Sequence, residues 1–511
     1  MTSSYNTSSL QATLLLLICL VSGATWISLP RFIRWRTRAA MLNAIPTIGP
    51  SGFLSGYIGM YSFFTNPREI LQEGYNKYPN SVYKIALIDR WAIIANGCMM
   101  IEDIKKASDT QLDMREATAE SLQIEYTLSK DLHVDPYHVA VVRTQITRNI
   151  ASRFSEVRDE IVAAFADHIP VQEDWVKIPA YTTSFQIVGR TVNRFFVGLP
   201  LCRDPDWLDL NTHFAVNVFL SATIINIFPG FLKPIAGRLL TRMPASMKRA
   251  AKHLAPMIEE RLVMEDQHQS KDWPGKPNDL ISWLLDEATE DKQRTVSELV
   301  TRVLAIEVAA IHTTAFCNAL YELAAHPDIV GHLREEVQAA VKESGWTKES
   351  ISKMRKLDSF LKETLRLSGS GGFVNTRKVM EDFTFSDGTT VPAGMIIAVS
   401  AYMAHHDERL YENPYTFDAL RFYKMRSGEG ESIKHQTAAP ALDYIPFGIG
   451  RNACPGRFLA VYEIKGLIAH ILMVYDVKFE EEGVKPPFEW YGQNMNPSRT
   501  GVVLFRKRQE P

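Results

Sequence analysis

The sequence predicts a mainly α-helical protein with small β-sheets, in which a single large domain follows an N-terminal transmembrane helix. Apolar residues recur at three- and four-residue spacing over long stretches, for instance 148–168 and 296–325, and this spacing is typical of packed helices. Strand-like runs are short and few. No internal repeat or long low-complexity tract divides the 511-residue chain beyond residue 51, which favours one domain there.

The N-terminal segment differs from the rest of the chain. Residues 10–29 read LQATLLLLICLVSGATWISL, carry no charge and are about long enough to cross a membrane as a helix. Four arginines follow within 31–38, and positive charge of this kind stays on the cytosolic side. A cleaved signal peptide carries its positive charge before the apolar stretch, so the order here favours a retained anchor. We predict a membrane anchor at 1–30, a basic and proline-containing linker at 31–50, and the domain at 51–511.

Short β-rich runs bounded by turn residues account for the predicted sheets. The Asp387-Gly388 pair is a strong hairpin turn between two of them. The predicted strands lie at 82–87, 91–95, 383–385, 391–399, 473–479 and 501–505, and a late helix is predicted at 458–475.

Composition excludes some functions. The formal net charge of -2 gives no general attraction to polyanions, so nucleic acid is not an expected partner. Five cysteines, odd in number and far apart, indicate neither a disulfide framework nor a zinc site. A cysteine that carries chemistry in this chain must therefore act alone, as a nucleophile or as a metal ligand.

The segment around Cys454 packs glycines about one cysteine and then continues as an apolar helical run. It reads FGIGRNACPGRFLA from Phe447 to Ala460. Glycines let the backbone approach a flat ligand closely. A thiolate just before a helix N-terminus is stabilised by unpaired amides and by the helix dipole. These features suit a cysteine that stays ionised on iron.

This pattern resembles the haem-binding loop of the cytochrome P450 family, F-x-x-G-x-R-x-C-x-G followed by a small residue. The resemblance implies the fold of that family and haem b as cofactor, with Cys454 as the proximal iron ligand. It also implies that Phe447 packs near the sulfur, that Arg451 meets a haem propionate, and that Gly450 and Gly456 belong to the cofactor-binding loop. A thiolate ligand donates electron density to iron and favours cleavage of the O–O bond.

Glu363 and Arg366 lie three residues apart, on one face of a predicted helix. Alone, such a pair is commonly a solvated surface ion pair. The stretch FDALRF at 417–422 is similar to the family's second arginine motif, with Ala419 where a proline is common. The resemblance implies that Arg421 closes a Glu-Arg-Arg network that locks the core on the haem side.

The helical run over 296–325 contains AAIHTT, from Ala309 to Thr314. Two alanines, Ala309 and Ala310, leave room beside a flat cofactor, and a threonine hydroxyl can hydrogen-bond water or dioxygen. The stretch resembles the family's oxygen-activation segment, which implies catalytic roles for Thr313, His312 and Thr314. His312 replaces the usual acid, and its role in proton relay or in helix packing stays open. This variant looks like that of filamentous-fungal oxygenases in secondary metabolism, many of which act on terpenoids.

The two haem carboxylates need basic groups, which the resemblance places in several segments. Arg377, in a predicted strand after the Glu363 helix, matches the family's propionate arginine. His138 and Arg143 stand where the family has an aromatic or histidine residue and then an arginine, here five residues apart rather than four. Either of the two could instead be a surface helix residue.

The resemblance implies a monooxygenase that uses O2 and NADPH-derived electrons to hydroxylate or oxidise a hydrophobic small molecule. No G-x-G-x-x-G motif follows a strand, so the sequence shows no dinucleotide-binding module of its own. A separate NADPH–cytochrome reductase is therefore the expected electron donor. Arg457 and Lys465 are candidate charges for docking this reductase. The apolar stretch 214–231 is either the substrate-access element or an ordinary buried helix, and Phe373 and Val374 are candidate cavity residues. With the predicted anchor, the domain would lie on the cytosolic side of the endoplasmic reticulum membrane.

Two alternatives share the cysteine loop. A haem-thiolate isomerase or a peroxide-using enzyme would need no reductase, and turnover that depends on NADPH and reductase separates these enzymes from a monooxygenase. A haem-based sensor or binding protein would form no product. The threonine at position 313 favours the monooxygenase.

Overall fold

The computed structural model describes residues 36–50, 55–87, 90–310, 313–369, 371–428 and 430–509. The predicted transmembrane helix at 10–29 and His312 lie outside the described residues.

Helices dominate the first half of the domain. Several of them begin at an aspartate whose side chain accepts hydrogen bonds from backbone N–H groups of the first turn. These N-terminal caps are Asp113, Asp204 and Asp279. The helices are α1 over 36–44, α2 Ser55–Thr65, α3 Pro67–Lys77, α4 Cys98–Lys106, α5 Met114–Leu122, α6 Ile124–Thr127, α7 Lys130–Val134, α8 Tyr137–Val141, α9 Thr147–His168, α10 Ala180–Phe196, α11 Pro205–Asn226, α12 Lys233–Leu239, α13 Met243–His268 and α14 Leu280–Glu287.

The second half supplies the helices that surround the candidate site. They are α15 Val296–Ala310, α16 Thr313–Ala325, α17 Pro327–Ser344, α18 Lys348–Lys353, α19 Arg355–Leu367, α20 Ala401–His405, α21 Arg421–Met425 and α22 Arg457–Val474. The largest core cluster joins α9, α10, α15, α16 and α22, which form a helical bundle. This bundle positions the oxygen-segment threonine on α16 and the helix that follows the cysteine loop, α22.

The strands form small sheets at the margin of the bundle. They are β1 Val82–Ala86, β2 Trp91–Ala95, β3 Leu112–Asp113, β4 Val176–Pro179, β5 Val374–Val379, β6 Phe383–Thr384, β7 Thr390–Val391, β8 Ile396–Val399, β9 Tyr475–Lys478, β10 Glu489–Tyr491, β11 Asn494–Asn496 and β12 Val502–Lys507. The five-stranded sheet has the order β1-β2-β8-β5-β3, and β4-β12-β9 form a three-stranded sheet. The pairs β6-β7 and β10-β11 stand alone.

The predicted mainly α-helical fold with small β-sheets is confirmed, with two local corrections. The strand expected over 391–399 is wrong, because Pro392 and Gly394, with φ of +92°, interrupt it. Its first part pairs with β6 in the predicted hairpin, and its second part, β8, joins the main sheet parallel to β2. The run 473–479 becomes strand only from Tyr475, because α22 continues to Val474.

The apolar stretch 214–231 has two faces. One side of α11 is buried in the bundle, including Phe214, Val218 and Ile225. The other side, together with α12, is apolar and exposed, and we call it the access face. Its members, each more than half exposed, are Val216, Phe219, Leu220, Ile227, Phe231, Ile235, Leu239 and Leu240.

Two helical stretches, 205–226 and 296–325, are long and apolar enough to cross a membrane by length and composition, the second running across 311–312. Both pack into the domain, and core helices of soluble proteins pass the same test. Length and composition therefore do not make either stretch a membrane span.

Candidate active site

The Cys454 loop is a tight turn closed by its own backbone. The Cys454 N–H donates a 2.8 Å hydrogen bond to the Phe447 carbonyl. Gly448 and Gly450 adopt left-handed conformations, with φ of +70° and +71°. A Cβ on Gly450 would lie 3.1 Å from Cγ of Lys105 on α4. Both the backbone conformation and the neighbouring helix therefore favour glycine at position 450.

The Cys454 sulfur lies just before the N-terminus of α22. Burial of the thiol raises its pKa, while hydrogen bonds from the backbone N–H groups of Gly456 and Arg457 lower it, as does the positive charge of Arg457. Cys454 is nevertheless partly accessible, since the residue as a whole is exposed. Backbone amides aimed at sulfur stabilise a thiolate, which is the form that binds a metal.

The oxygen-segment residues lie on two helices of the bundle. Ala309 is exposed although most of α15 is buried, and Ala310 is half-buried. Thr313 begins α16 and is 1% exposed, yet its Oγ1 has no hydrogen-bond partner among the described residues. Thr314 is half-buried. A buried hydroxyl without a protein partner is suited to bind water or a ligand atom.

Arg377 is placed by an irregularity in strand β5. The register between β5 and β8 shifts between Val374 and Arg377, and Asn375 in this bulge adopts φ of +58°. The Asn375 Oδ1 accepts a 2.7 Å hydrogen bond from Nη2 of Arg377, and the Thr376 carbonyl accepts one of 2.8 Å from Nη1. The bulge thus holds the guanidinium group in a fixed direction.

The Arg377 guanidinium group is buried at 2% exposure, and burial lowers its pKa to about 10. Within the described residues no carboxylate lies at salt-bridge distance from it. Arg451 is close enough for its charge to lower the pKa of Arg377 further. Arg451 itself is half exposed and forms a 3.0 Å ion pair with Asp109 and a 2.6 Å hydrogen bond to the Ala107 carbonyl. Two neighbouring guanidinium groups therefore offer binding sites for anionic oxygens.

The structure brings Glu363, Arg366 and Arg421 together in a buried ion-pair network. Glu363 and Arg366 are both 0% exposed and 2.7 Å apart, between Oε1 and Nη2. Nε of Arg421 lies 3.1 Å from Glu363 Oε1, which also accepts the Asp418 N–H. Arg366 in addition donates to the carbonyls of His405 and Pro414. The turn before Arg421 forms with Ala419 where a proline is common in the family.

Phe447 packs beside this network. It lies against a small apolar cluster that comprises Leu365, Tyr411, Phe422 and Tyr444. The cysteine loop and the Glu363 network therefore share one packed region, since Arg366 also lies over the ring of Tyr411.

His138 and Arg143 have different surroundings. Nδ1 of His138 lies 3.0 Å from Nη1 of Arg302 on α15, and burial together with the Arg302 charge lowers the pKa of His138 to about 4. Arg143 is exposed and lies in a π-helical turn, Val142–Ile146, that joins α8 to α9. A π-helical turn accommodates one extra residue, which fits the spacing of five between the two side chains. A Cβ on Gly456 would lie 3.8 Å from Cγ1 of Val142, so this turn lies beside the cysteine loop.

The expectation that Lys465 is a docking charge is wrong, and the surroundings of Phe373 are now defined. Lys465 cannot be a surface docking charge, because it is 4% exposed and faces Asp358 at 3.6 Å. Phe373 is buried and stacks on Phe63, with ring centroids 6.3 Å apart, so at least one of its faces belongs to the sheet-side core.

Comparison with known proteins decides the family. Residues 46–505 match the family model for cytochrome P450. The chain belongs to the cytochrome P450 family. It is 41% identical over 94% of its length to cytochrome P450 monooxygenase 151 of Postia placenta, 96% of which is covered. It is 35% identical over 94% of its length to cytochrome P450 monooxygenase CYP512U6 of Ganoderma lucidum, 94% of which is covered.

A solved cytochrome P450 structure shows the same fold. Retinoic acid bound cyanobacterial CYP120A1 is similar with a TM-score of 0.68 at 18% identity, over 91% of this chain and 99% of that one. This likeness confirms the predicted cytochrome P450 fold.

The family implies a haem iron cofactor, and the residues present fit it. The backbone amides at Gly456 and Arg457 are directed at the one cysteine of the loop. The buried Arg377 lacks a carboxylate partner within the described residues, as a group that binds a propionate should. Thr313 has an unsatisfied buried hydroxyl. Cys454, Arg377 and Arg451 would hold haem b through its iron and its carboxylates.

Sequence reasoning missed several residues that arrange this site. Asn375 orients Arg377, Arg302 binds His138, and Asp109 pairs with Arg451. Asparagine is one of the few residues that tolerate a left-handed conformation, so Asn375 carried a weak local signal. The other two contacts join segments far apart in the chain and leave no local pattern.

Arg377→Gln is expected to weaken haem binding by about 1.5–3 kcal/mol, because a charge-assisted hydrogen bond to a propionate is lost. Haem transfer from the purified holoenzyme to excess apomyoglobin measures this as a faster loss. Lys378→Gln is the matched control, since Lys378 follows in the same strand but pairs with Glu120 at 3.0 Å. Equal rates of haem loss in the two variants would contradict the role of Arg377.

Proposed function

We propose that this cytochrome P450 is a monooxygenase that uses O2 and NADPH-derived electrons to hydroxylate or oxidise a hydrophobic small molecule. The electrons come from a separate NADPH–cytochrome reductase. The proposed substrate class is a terpenoid of fungal secondary metabolism. The observation that carries the proposal is the Cys454 sulfur at the start of α22, with the Gly456 and Arg457 amides directed at it.

When bound, haem supplies the activation of dioxygen and the oxidation of carbon. Cys454 would contribute a thiolate to the iron, and the Gly456 and Arg457 amides stabilise that form. Arg377 and Arg451 would bind the haem carboxylates and neutralise their charge. The Thr313 hydroxyl is buried in the first turn of α16 and has no partner among the described residues. It can accept a hydrogen bond from water and donate one to bound dioxygen, and so carry a proton between them.

The access face supports an apolar substrate and a membrane-associated domain. Its exposed apolar side chains, from Val216 to Leu240, form a surface that water solvates poorly. Ile58, Tyr61 and Phe64 on α2 are also more than half exposed. With the anchor proposed at 1–30, these surfaces fit a single-pass protein of the endoplasmic reticulum whose domain at 51–511 meets the cytosolic leaflet.

The proposed function is tested with membrane-anchored protein, reductase, NADPH and a panel of sesquiterpenoids, diterpenoids and triterpenoids under isotope-labelled dioxygen. Mass spectrometry should find labelled oxygen in a product, and only when reductase and NADPH are both present. An isomerised product without label, or turnover with peroxide alone, would contradict the proposal. Product from no member of the panel would reject the terpenoid class.

Thr313→Ala is expected to lower the rate of product formation by roughly 10²-fold, because the hydroxyl that handles the proton is removed. NADPH consumption should continue, with hydrogen peroxide in place of product. Thr301→Ala is the matched control, since Thr301 on α15 is also buried but its hydroxyl donates to the Ser297 carbonyl. If the ratio of product to NADPH is unchanged in Thr313→Ala, Thr313 has no part in the chemistry.

A further inference from the structure

The access face lies in a segment of the chain that carries positive charge and no negative charge. Residues 210–258, which form most of α11, all of α12 and much of α13, contain no aspartate or glutamate. They contain six lysines and arginines, although acids outnumber these bases by 58 to 56 in the whole chain. The six are Lys233, Arg238, Arg242, Lys248, Arg249 and Lys252. An exposed apolar surface is therefore combined here with an excess of cations.

Two of these cations are bound within the protein. Nζ of Lys233 donates a 3.2 Å hydrogen bond to Oε1 of Gln123. Arg249 forms ion pairs with Asp206 at 2.7 Å and with Asp209 at 2.8 Å. The other four are exposed and have no carboxylate at ion-pair distance in the part of the chain that the structure describes. We call these four the basic rim, and they are Arg238, Arg242, Lys248 and Lys252.

The basic rim adjoins the access face along the chain. Arg238 on α12 directly precedes Leu239 of the access face, and Arg242 comes directly before α13. Lys248 and Lys252 are four residues apart on α13, so their side chains lie on the same face of that helix. Long basic side chains can lay their methylene stems along apolar surface and extend the charged group beyond it. The access face and the basic rim thus form one surface, apolar with a cationic edge.

A lipid bilayer with anionic headgroups matches both parts of this surface. Amphipathic helices that lie in the membrane interface combine an apolar face with lysines and arginines beside it. Anionic lipids attract such cations, and the attraction falls off within a Debye length of about 10 Å, so only charges near the headgroups contribute. Nucleic acid would offer phosphates to the rim but would leave the apolar side chains of the access face in water.

We propose that the access face and the basic rim together bind a membrane leaflet that contains anionic phospholipids. The acyl chains receive the apolar side chains, and the anionic oxygens of the headgroups pair with the four cations. The charge of the leaflet then determines how firmly α11 and α12 are held against the membrane, in addition to the anchor. Because this contact needs the domain at a membrane, it rests on the proposed function.

Hydrogen–deuterium exchange of the full-chain holoenzyme in lipid nanodiscs tests this contact without substrate or turnover. One nanodisc contains phosphatidylcholine alone, and the other contains phosphatidylcholine mixed with phosphatidylserine. Backbone amides of residues 216–240 should exchange several-fold more slowly in the anionic nanodisc, and high salt should remove the difference because it screens the charges. Equal exchange in the two nanodiscs at low salt would overturn the proposal.

Loss of charge from the rim should remove the dependence on lipid charge. Arg238→Gln combined with Arg242→Gln should lose most of the slowing that phosphatidylserine causes, while exchange in phosphatidylcholine stays as in the wild type. Lys342→Gln combined with Lys348→Gln is the matched control, since both lysines are exposed, on α17 and α18, and have no ion-pair partner among the described residues. An unchanged effect of phosphatidylserine in the rim variant, or an equal loss in the control, would overturn the role of the basic rim.

The anchor and the monooxygenase activity fail in other ways. A chain retained only by the anionic nanodisc would contradict the anchor at 1–30 and still support the basic rim. Absence of product from the terpenoid panel would reject the proposed substrate class and leave the exchange results standing, because these need no substrate.

Discussion

Glu363→Ala is expected to leave the protein unable to hold a stable haem-binding fold. The change leaves Arg366 buried at 0% exposure without its carboxylate, and removal of one partner from a buried pair costs about 3–5 kcal/mol. Because the total free energy of unfolding of a domain is about 5–15 kcal/mol, this loss is a large share of it. Urea titration followed by the haem absorbance should show a strongly lowered midpoint or no retained haem.

Glu343→Ala is the control for this prediction. The Glu343 side chain is 66% exposed and pairs with Lys353 on the surface, so its loss should change the free energy of unfolding by less than about 0.5 kcal/mol. Similar stability of the two alanine variants would show that the buried network does not support the fold.

Cys454→Ser is expected to abolish product formation. A serine hydroxyl does not ionise as a thiol does, so the amides of Gly456 and Arg457 would no longer stabilise a strong anionic donor. Product analysis by mass spectrometry with reductase and NADPH should give no signal above background. Cys98→Ser, at a half-buried cysteine on α4, should keep its activity. Full activity in Cys454→Ser would reject the thiolate mechanism.

The parts of the site that depend on local sequence were predictable. The cysteine loop is a run of fixed spacings whose glycines and following helix have direct local causes, and its backbone closure from Cys454 to Phe447 agrees with them. Glu363 and Arg366 are three residues apart on a helix, so their contact was also local. The complete burial of this pair could not be predicted locally, because it depends on the packing of Tyr411 and Tyr444 around it.

Other parts depend on contacts between distant segments. The partnership of His138 with Arg302 joins α8 to α15, and a π-helical turn after α8 has no clear sequence signal. The division of 391–399 into two strands had a local cause in Pro392 and Gly394, which the alternation of apolar residues obscured. Glu307 reads as an ordinary polar helix residue, and only the packing of the surrounding helices shows that it is buried.

Reduced protein exposed to carbon monoxide tests the central claim most directly, because the position of the Soret band reports the atom that ligates the iron. Wild-type protein should give the strongly red-shifted band of a thiolate-ligated ferrous carbonyl, and Cys454→Ser should lose it. A wild-type band at the position typical of a nitrogen ligand, or a red-shifted band that survives in Cys454→Ser, would contradict ligation by Cys454.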